Sequence, residues 1–227
     1  MGQTLQNGPQ EAGNPMTEGK LAQAWLVLLL AILFGLSLAA VQANLSGIIA
    51  ENQLNETLDR IPELVWGDRA APTAGGKQTM DIAPASLDIE KNGTTVHYGL
   101  FRVNLKKNTA GWVVKAAGRG YADKIELLIG LDADAETITG LYILEQKETP
   151  GLGANITLPG WRNQFVQQKT DKPLTVGKGK TPGDGVIDAV TGATISSRSV
   201  AAIVNRTIGD IKGRLTPAEL RFSERRM

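Results

Sequence analysis

The chain has 227 residues, 42% of them hydrophobic and 21% charged, the make-up of a globular protein and too apolar for a disordered one. Its 24 basic and 23 acidic residues leave a formal charge of +1, so no basic field draws it onto nucleic acid. There is no cysteine and His97 is the one histidine, which excludes thiolate-held zinc or iron–sulfur centres, disulfides, cysteine nucleophiles and paired-histidine metal sites, and argues against a serine triad.

With those reactive groups missing, no catalytic residue and no metal ligand is expected, and chemistry here belongs to a bound cofactor. The lack of cysteine is neutral on compartment.

Residues 1–19 are rich in Gly, Pro, Gln and Asn without an apolar period, and read as a disordered, cytoplasmic tail. Leu21–Val41 is then apolar except for Gln23, Gly35 and Ser37, and no charge occurs between Lys20 and Glu51. About 20 apolar residues at roughly 1.5 Å each cross a hydrocarbon core of about 30 Å, so 20–43 is read as a transmembrane helix. Trp25 suits the interface. A cleaved signal peptide ending near Val41-Gln42-Ala43 is the competing reading, disfavoured by the length of the apolar run. Lys20 precedes the span and Arg60 is the first basic residue after it, which favours a cytoplasmic N-terminus and an outside domain.

Residues 44–227 are of single-domain size. Asn44–Leu64 has Ile48, Ile49, Leu54, Leu58 and Ile61 roughly at helical spacing and predicts a juxtamembrane helix. Pro72–Pro84 reads as turns. Strands are predicted over Thr94–Leu105, Gly111–Ala117, Lys124–Gly130 and Thr137–Glu145, the last two joined by an Asp-Ala-Asp-Ala turn. Ser197–Leu215 is the clearest helix, with Val200, Val204, Ile208, Ile211 and Leu215 on one face. Strands joined by short links and followed by one strong C-terminal helix define an α+β fold with a mainly antiparallel sheet.

Three glycine-containing stretches could carry chemistry. Gly177-Lys178-Gly179-Lys180-Thr181 invites a phosphate-loop reading, but Leu174 stands where that pattern needs glycine, and a basic exposed loop fits better. Glu148-Thr149-Pro150-Gly151-Leu152-Gly153 is first of all a turn, although glycines there also let a flat ligand reach the backbone. Asp188-Ala189-Val190-Thr191-Gly192-Ala193-Thr194 leads into the last helix. Its hydroxyls suit an N-cap, and the same small residues at a positive helix end suit a phosphate.

Asp188–Thr194 matches the D-x-x-[ST]-G-A-T pattern of proteins carrying FMN linked through its phosphate to threonine, and Glu148–Gly153 matches a second signature of that family. Trp161-x-x-x-Phe165 and Gly118-Arg119-Gly120-Tyr121 fit more loosely. Over residues 20–215 the chain resembles the G subunit of Rnf electron-transport complexes, with the C subunit of sodium-pumping NADH:quinone reductases sharing both motifs.

The resemblance implies covalent FMN on Thr194, a phosphate cradle from Thr191, Gly192 and Ala193, and Asp188 as part of what a flavin transferase reads. It implies that Glu148, Thr149, Leu152 and Gly153 border the flavin, and leaves Tyr121 and Trp161 open. That transferase takes FMN from FAD with magnesium outside the cytoplasm. The implied function is an electron relay in an ion-translocating ferredoxin:NAD oxidoreductase, anchored in the bacterial inner membrane beside other membrane subunits, without independent catalysis. A membrane-anchored regulatory domain that borrows the flavin fold, and a plain domain with an ordinary helix cap, are the rival readings.

Overall fold

The computed structural model describes residues 15–67, 80–91, 93–106, 108–179, 181, 183–216 and 218–222. Residues 1–14 of the expected tail and 72–79 of the expected turn region lie outside them. The chain divides into two units, 1–54 and 55–227.

Helix α1 runs Pro15–Trp66, so Pro15–Gly19 of the expected tail and the juxtamembrane segment belong to the same helix as the apolar run. Nothing in 42–55 breaks it: the stretch holds no proline, and Asn44 and Ser46 turn their polar groups back onto the carbonyls of Ala40 and Ala43. In the first unit the side chains of residues 23–48 are exposed all round, and the helix is long and apolar enough to cross a membrane.

The second unit holds strands β1 (Met80–Lys91), β2 (Thr94–Leu105), β3 (Asn108–Arg119), β4 (Lys124–Asp132) and β5 (Ile138–Glu145). A four-residue helix α2 (Pro159–Arg162) follows, then β6 (Thr175–Gly177), β7 (Val186–Asp188), helix α3 (Thr194–Ile211) and β8 (Arg221–Phe222). The main sheet has the order β5-β4-β3-β2-β1-β8, with every described pairing antiparallel. The α+β architecture stands.

Several of the sequence boundaries move; β3 and β4 run longer than the expected Gly111–Ala117 and Lys124–Gly130. The expected turn ends before Met80, and β1 runs through Pro84, which pairs with Phe101 of β2. Proline is tolerated because the outer side of β1 is paired only at Ala85 and Ser86, leaving the strand an edge at 84. The last helix begins three residues earlier than its apolar period and stops at Ile211, where Gly213 turns the chain at φ +80°.

The period of two along the strands sorts the core. Tyr98, Leu100, Trp112, Val114, Ala116, Ile125, Leu127, Ile129 and Leu131 pack with Val200, Ile203, Val204, Ile208 and Ile211 of α3. Alternate positions, Phe101, Val103, Val113 and Leu128, are buried as well, as are Ile61, Leu64 and Val65 at the end of α1. Glycines in the sheet let that helix end approach closely. A Cβ on Gly130 would lie 2.3 Å from the Leu64 carbonyl oxygen, and one on Gly140 would lie 2.9 Å from Leu64 Cα. Thr139 Oγ1 donates to the same carbonyl at 2.6 Å, and Gly67, at φ +61°, donates its N–H to Glu63 O at 2.8 Å to close the helix.

A polar tie holds the far end of α3 to the sheet. The buried Asp210 carboxylate accepts from the Tyr98 hydroxyl at 2.7 Å and from Lys91. Burial opposes the charge on Asp210, but the hydrogen bonds from Lys91 and Tyr98, with the Lys91 charge, outweigh it and hold the carboxyl below its usual range. Burial first, then the bond to Asp210, push the Tyr98 phenol up to about 12.

Gly130→Ala is expected to destabilise the domain by about 1–3 kcal/mol in denaturant unfolding, because the new methyl meets backbone. Gly99→Ala, whose methyl would meet only Lys115 Cβ at 3.9 Å, serves as the near-neutral control. A carboxyl whose pKa is depressed by folding contributes stability above its unfolded value of about 4, and that contribution is lost as pH falls through the folded value. Asp210→Asn should therefore flatten the acid limb of the unfolding midpoint plotted against pH.

Candidate functional site

The sequence motifs converge on one cleft of about 510 Å³, lined by Tyr121, Glu148, Thr149, Leu152, Gly153, Lys178, Gly192, Ala193, Thr194, Ile195 and Ser196. That volume lies within the range of about 300–1,000 Å³ typical of small-molecule sites. Four elements build it: the β3–β4 connection, the loop after β5, the end of β6 and the start of α3.

The loop after β5 is shaped by local bonds. Leu152 and Ala154 both donate N–H to Thr149 O at 3.1 Å, and Gly151 takes φ +73°. This folds Thr149–Gly153 into a tight turn that exposes Thr149 and Leu152 while Gly153 is buried against Glu148 and Ser196. A Cβ on Gly153 would lie 2.8 Å from both Glu148 Cβ and Ser196 Oγ, so only glycine fits.

Strands β6 and β7 run parallel, with Gly177 beside Asp188, and Ala189 donates its N–H to Gly177 O at 2.8 Å. The pairing sets the Gly177-Lys178-Gly179 loop against the Asp188–Thr194 motif. The loop is basic and exposed as its sequence suggests, but Lys178 also lines the cleft, which its local sequence does not reveal. Only the pairing of β6 with β7 carries that information.

Asp188 is held through its backbone. Its carbonyl accepts from Trp161 Nε1 at 2.9 Å, and its N–H donates to Gln164 Oε1 at 2.7 Å. Trp161 is buried edge-on to Phe165 at 5.2 Å, so these aromatics brace the motif from behind and do not line the cleft. Gln164 is a bracing residue that the sequence reading missed, since a lone glutamine in a turn carries no pattern.

At the start of α3 the N-cap residue is Ala193, and no side chain caps it. Thr191 and Gly192 are exposed, Thr194 is half-buried at the cleft wall, and Ser197 reaches back to accept from Val190 N–H at 3.0 Å. The helix therefore opens onto the cleft with its positive end uncapped by a hydroxyl, contrary to the ordinary-cap reading. Gly192 takes φ +80°, and a Cβ there would lie 2.9 Å from Leu152 Cδ2.

Glu148 also lines the cleft, yet both its oxygens are engaged by protein. Oε1 accepts from the N–H groups of Tyr121 at 2.9 Å and Ala122 at 3.1 Å, and Oε2 accepts from Ser196 Oγ at 2.6 Å. Lys178 is the other charged side chain of the lining and has no ion-pair partner among the described residues. His97 lies elsewhere, exposed on β2, its Nδ1 2.6 Å from Asp88. Among the described residues no cluster of carboxylates and histidine could hold a metal.

A cleft with a glycine cradle, an uncapped helix end and a lysine in its lining fits a phosphorylated flat ligand, and residues 120–209 match the FMN-binding domain family. The chain is 31% identical over 179 residues to the G subunit of the ion-translocating oxidoreductase complex of Methanosarcina acetivorans, covering 78% of this chain and 85% of that one. It is 41% identical over 100 residues to the G subunit of the Na+-translocating ferredoxin:NAD+ oxidoreductase complex of Acetobacterium woodii, covering 43% of this chain and 47% of that relative. The C subunit of the Na+-translocating NADH-quinone reductase of Vibrio alginolyticus is 28% identical over 169 residues, covering 66% of each.

The fold is thus that of an FMN-binding domain. Within that class, the chain belongs to the G-subunit family of ion-translocating oxidoreductase complexes.

Gly192→Ala is expected to strain the motif at its positive φ and to push on Leu152, at a cost of about 1–3 kcal/mol. Hydrogen exchange should rise in residues 190–197 and stay unchanged in β2–β4.

Proposed function

We propose that the chain is the electron-relay subunit of an ion-translocating ferredoxin:NAD+ oxidoreductase, with FMN esterified through its phosphate to Thr194. The observation that carries this reading is the position of Thr194: it opens α3 at an uncapped positive end and shares a cleft with Glu148–Gly153. Identity over 78% of the chain to a G-subunit relative, against 66% coverage for the quinone-reductase relative, favours this complex over the other.

Bound FMN supplies the redox chemistry. The chain's residues hold it. In attachment, the Thr194 hydroxyl oxygen forms a bond to the FMN phosphorus of FAD, the pyrophosphate P–O bond breaks, AMP leaves, and the hydroxyl proton passes to solvent. A flavin transferase with magnesium promotes this step outside the cytoplasm. Lys178 and the N–H groups that start α3 offset the remaining phosphate charge. Gly153 and Gly192 let Glu148, Ser196 and Leu152 pack close enough to shape the site, with Thr191 and Ala193 beside the phosphate and Asp188 read by the transferase. Tyr121, Leu152 and Ile195, all large side chains left exposed at the cleft, offer apolar faces to a ring.

The apolar stretch of α1 anchors the protein in the inner membrane with its N-terminus cytoplasmic and residues 44–227 outside, beside the complex's other membrane proteins. A phosphoester tether keeps the flavin where free FMN is not replenished.

Co-expression with a flavin transferase in an export-competent host, followed by denaturing electrophoresis under ultraviolet light, tests the reading. A fluorescent band is expected for the wild type and none for Thr194→Ala. Absence of the band in the wild type, with the transferase active on another substrate, overturns it.

A further inference from the structure

Glu148 is 4% exposed, although Lys147 and Thr149 on either side of it are exposed. Burying a carboxylate costs several kcal/mol unless donors replace its water, and three do. Those donors belong to two distant segments: the Tyr121 and Ala122 amides after β3, and the Ser196 hydroxyl in the first turn of α3. No salt bridge to Glu148 occurs among the described residues, so the group is satisfied by hydrogen bonds.

The surroundings are shaped to admit this carboxylate. A Cβ on Gly120 would lie 2.3 Å from Glu148 Oε1, and one on Gly153 would lie 3.0 Å from Oε2. The Glu148 N–H donates to Gln146 Oε1 at 2.6 Å, which fixes the backbone from which the side chain departs. The Ser196–Glu148 bond joins residues 48 apart in sequence, and Ser196 lies only two positions beyond Thr194 in the same helical turn.

We infer that Glu148 is a positioning residue for Thr194, acting through Ser196: the carboxylate holds the first turn of α3 so that the acceptor hydroxyl faces the cleft. This rests on the reading of Thr194 as the attachment point. The residue that begins the Glu148–Gly153 motif thereby sets the geometry at the end of the Asp188–Thr194 motif. Ser196 transmits the constraint.

The test uses the full chain in detergent, purified transferase, FAD and magnesium. Attachment is followed by intact mass, and unfolding midpoints are measured on the same samples. Ser196→Ala removes only the link from the carboxylate to α3, leaving the Tyr121 and Ala122 bonds in place. It is expected to slow attachment roughly tenfold or more at saturating acceptor with the apparent KM for the chain little changed; the unfolding midpoint falls as well, because the buried carboxylate loses a donor, so rates are compared at a temperature where every variant is fully folded. Ser196→Thr keeps a hydroxyl and should recover most of the rate. Glu148→Gln can still accept from the two amides and bond Ser196, and should fall between them.

Wild-type attachment rates in Ser196→Ala overturn the inference. So does an equal loss in Ser196→Ala and Ser196→Thr that follows a lowered unfolding midpoint, because that marks a general brace. A wild type that gains no flavin, or a Thr194→Ala variant that still gains one, refutes the attachment reading itself.

Discussion

One buried carboxylate closes the cleft. Glu148, on the turn after β5, bonds both the β3–β4 connection and the first turn of α3. Its three donors are a backbone pair and a hydroxyl, so the constraint is directional, unlike the apolar packing around it. Glycine at 120, 153 and 192 is the steric counterpart: each position lacks room for a Cβ, and each lies where one cleft segment meets another.

The sheet carries this arrangement because both its faces are used. One face packs α3, which fixes the helix whose first turn forms the cleft wall. The other is covered within the second unit by Ile61, Leu64 and Val65, with Gly130 and Gly140 giving backbone-to-backbone approach. Arg60 and Arg162 both lie over the Tyr142 ring, at 4.5 Å and 4.9 Å, so the helix end and α2 share one aromatic surface on β5. At the opposite end of α3, Asp210, Tyr98 and Lys91 tie the helix to β1 and β2. A helix held at both ends presents its first turn at a constant angle.

The lining of the cleft divides by chemistry. Charge is confined to Glu148, whose oxygens are engaged, and Lys178, which has no ion-pair partner among the described residues; the large exposed side chains are apolar. An anionic, flat cofactor meets no uncompensated carboxylate there and finds a cation on the loop after β6.

Much was legible in the chain alone. The strands from Thr94 to Glu145 and the last helix follow from period and turn residues, since burial on one face imposes a local repeat. The two motifs pointed to the family to which the chain belongs. Tertiary structure decided the rest. Pro84 hid β1, since proline is acceptable there only because its outer neighbour is short. Lys178 read as an ordinary basic loop until β6 paired with β7. Glu148 and Ser196 became partners only when the sheet closed against α3. Periodicity is a property of neighbouring residues, whereas the satisfaction of a buried polar atom depends on which distant segment reaches it, and no local pattern records that.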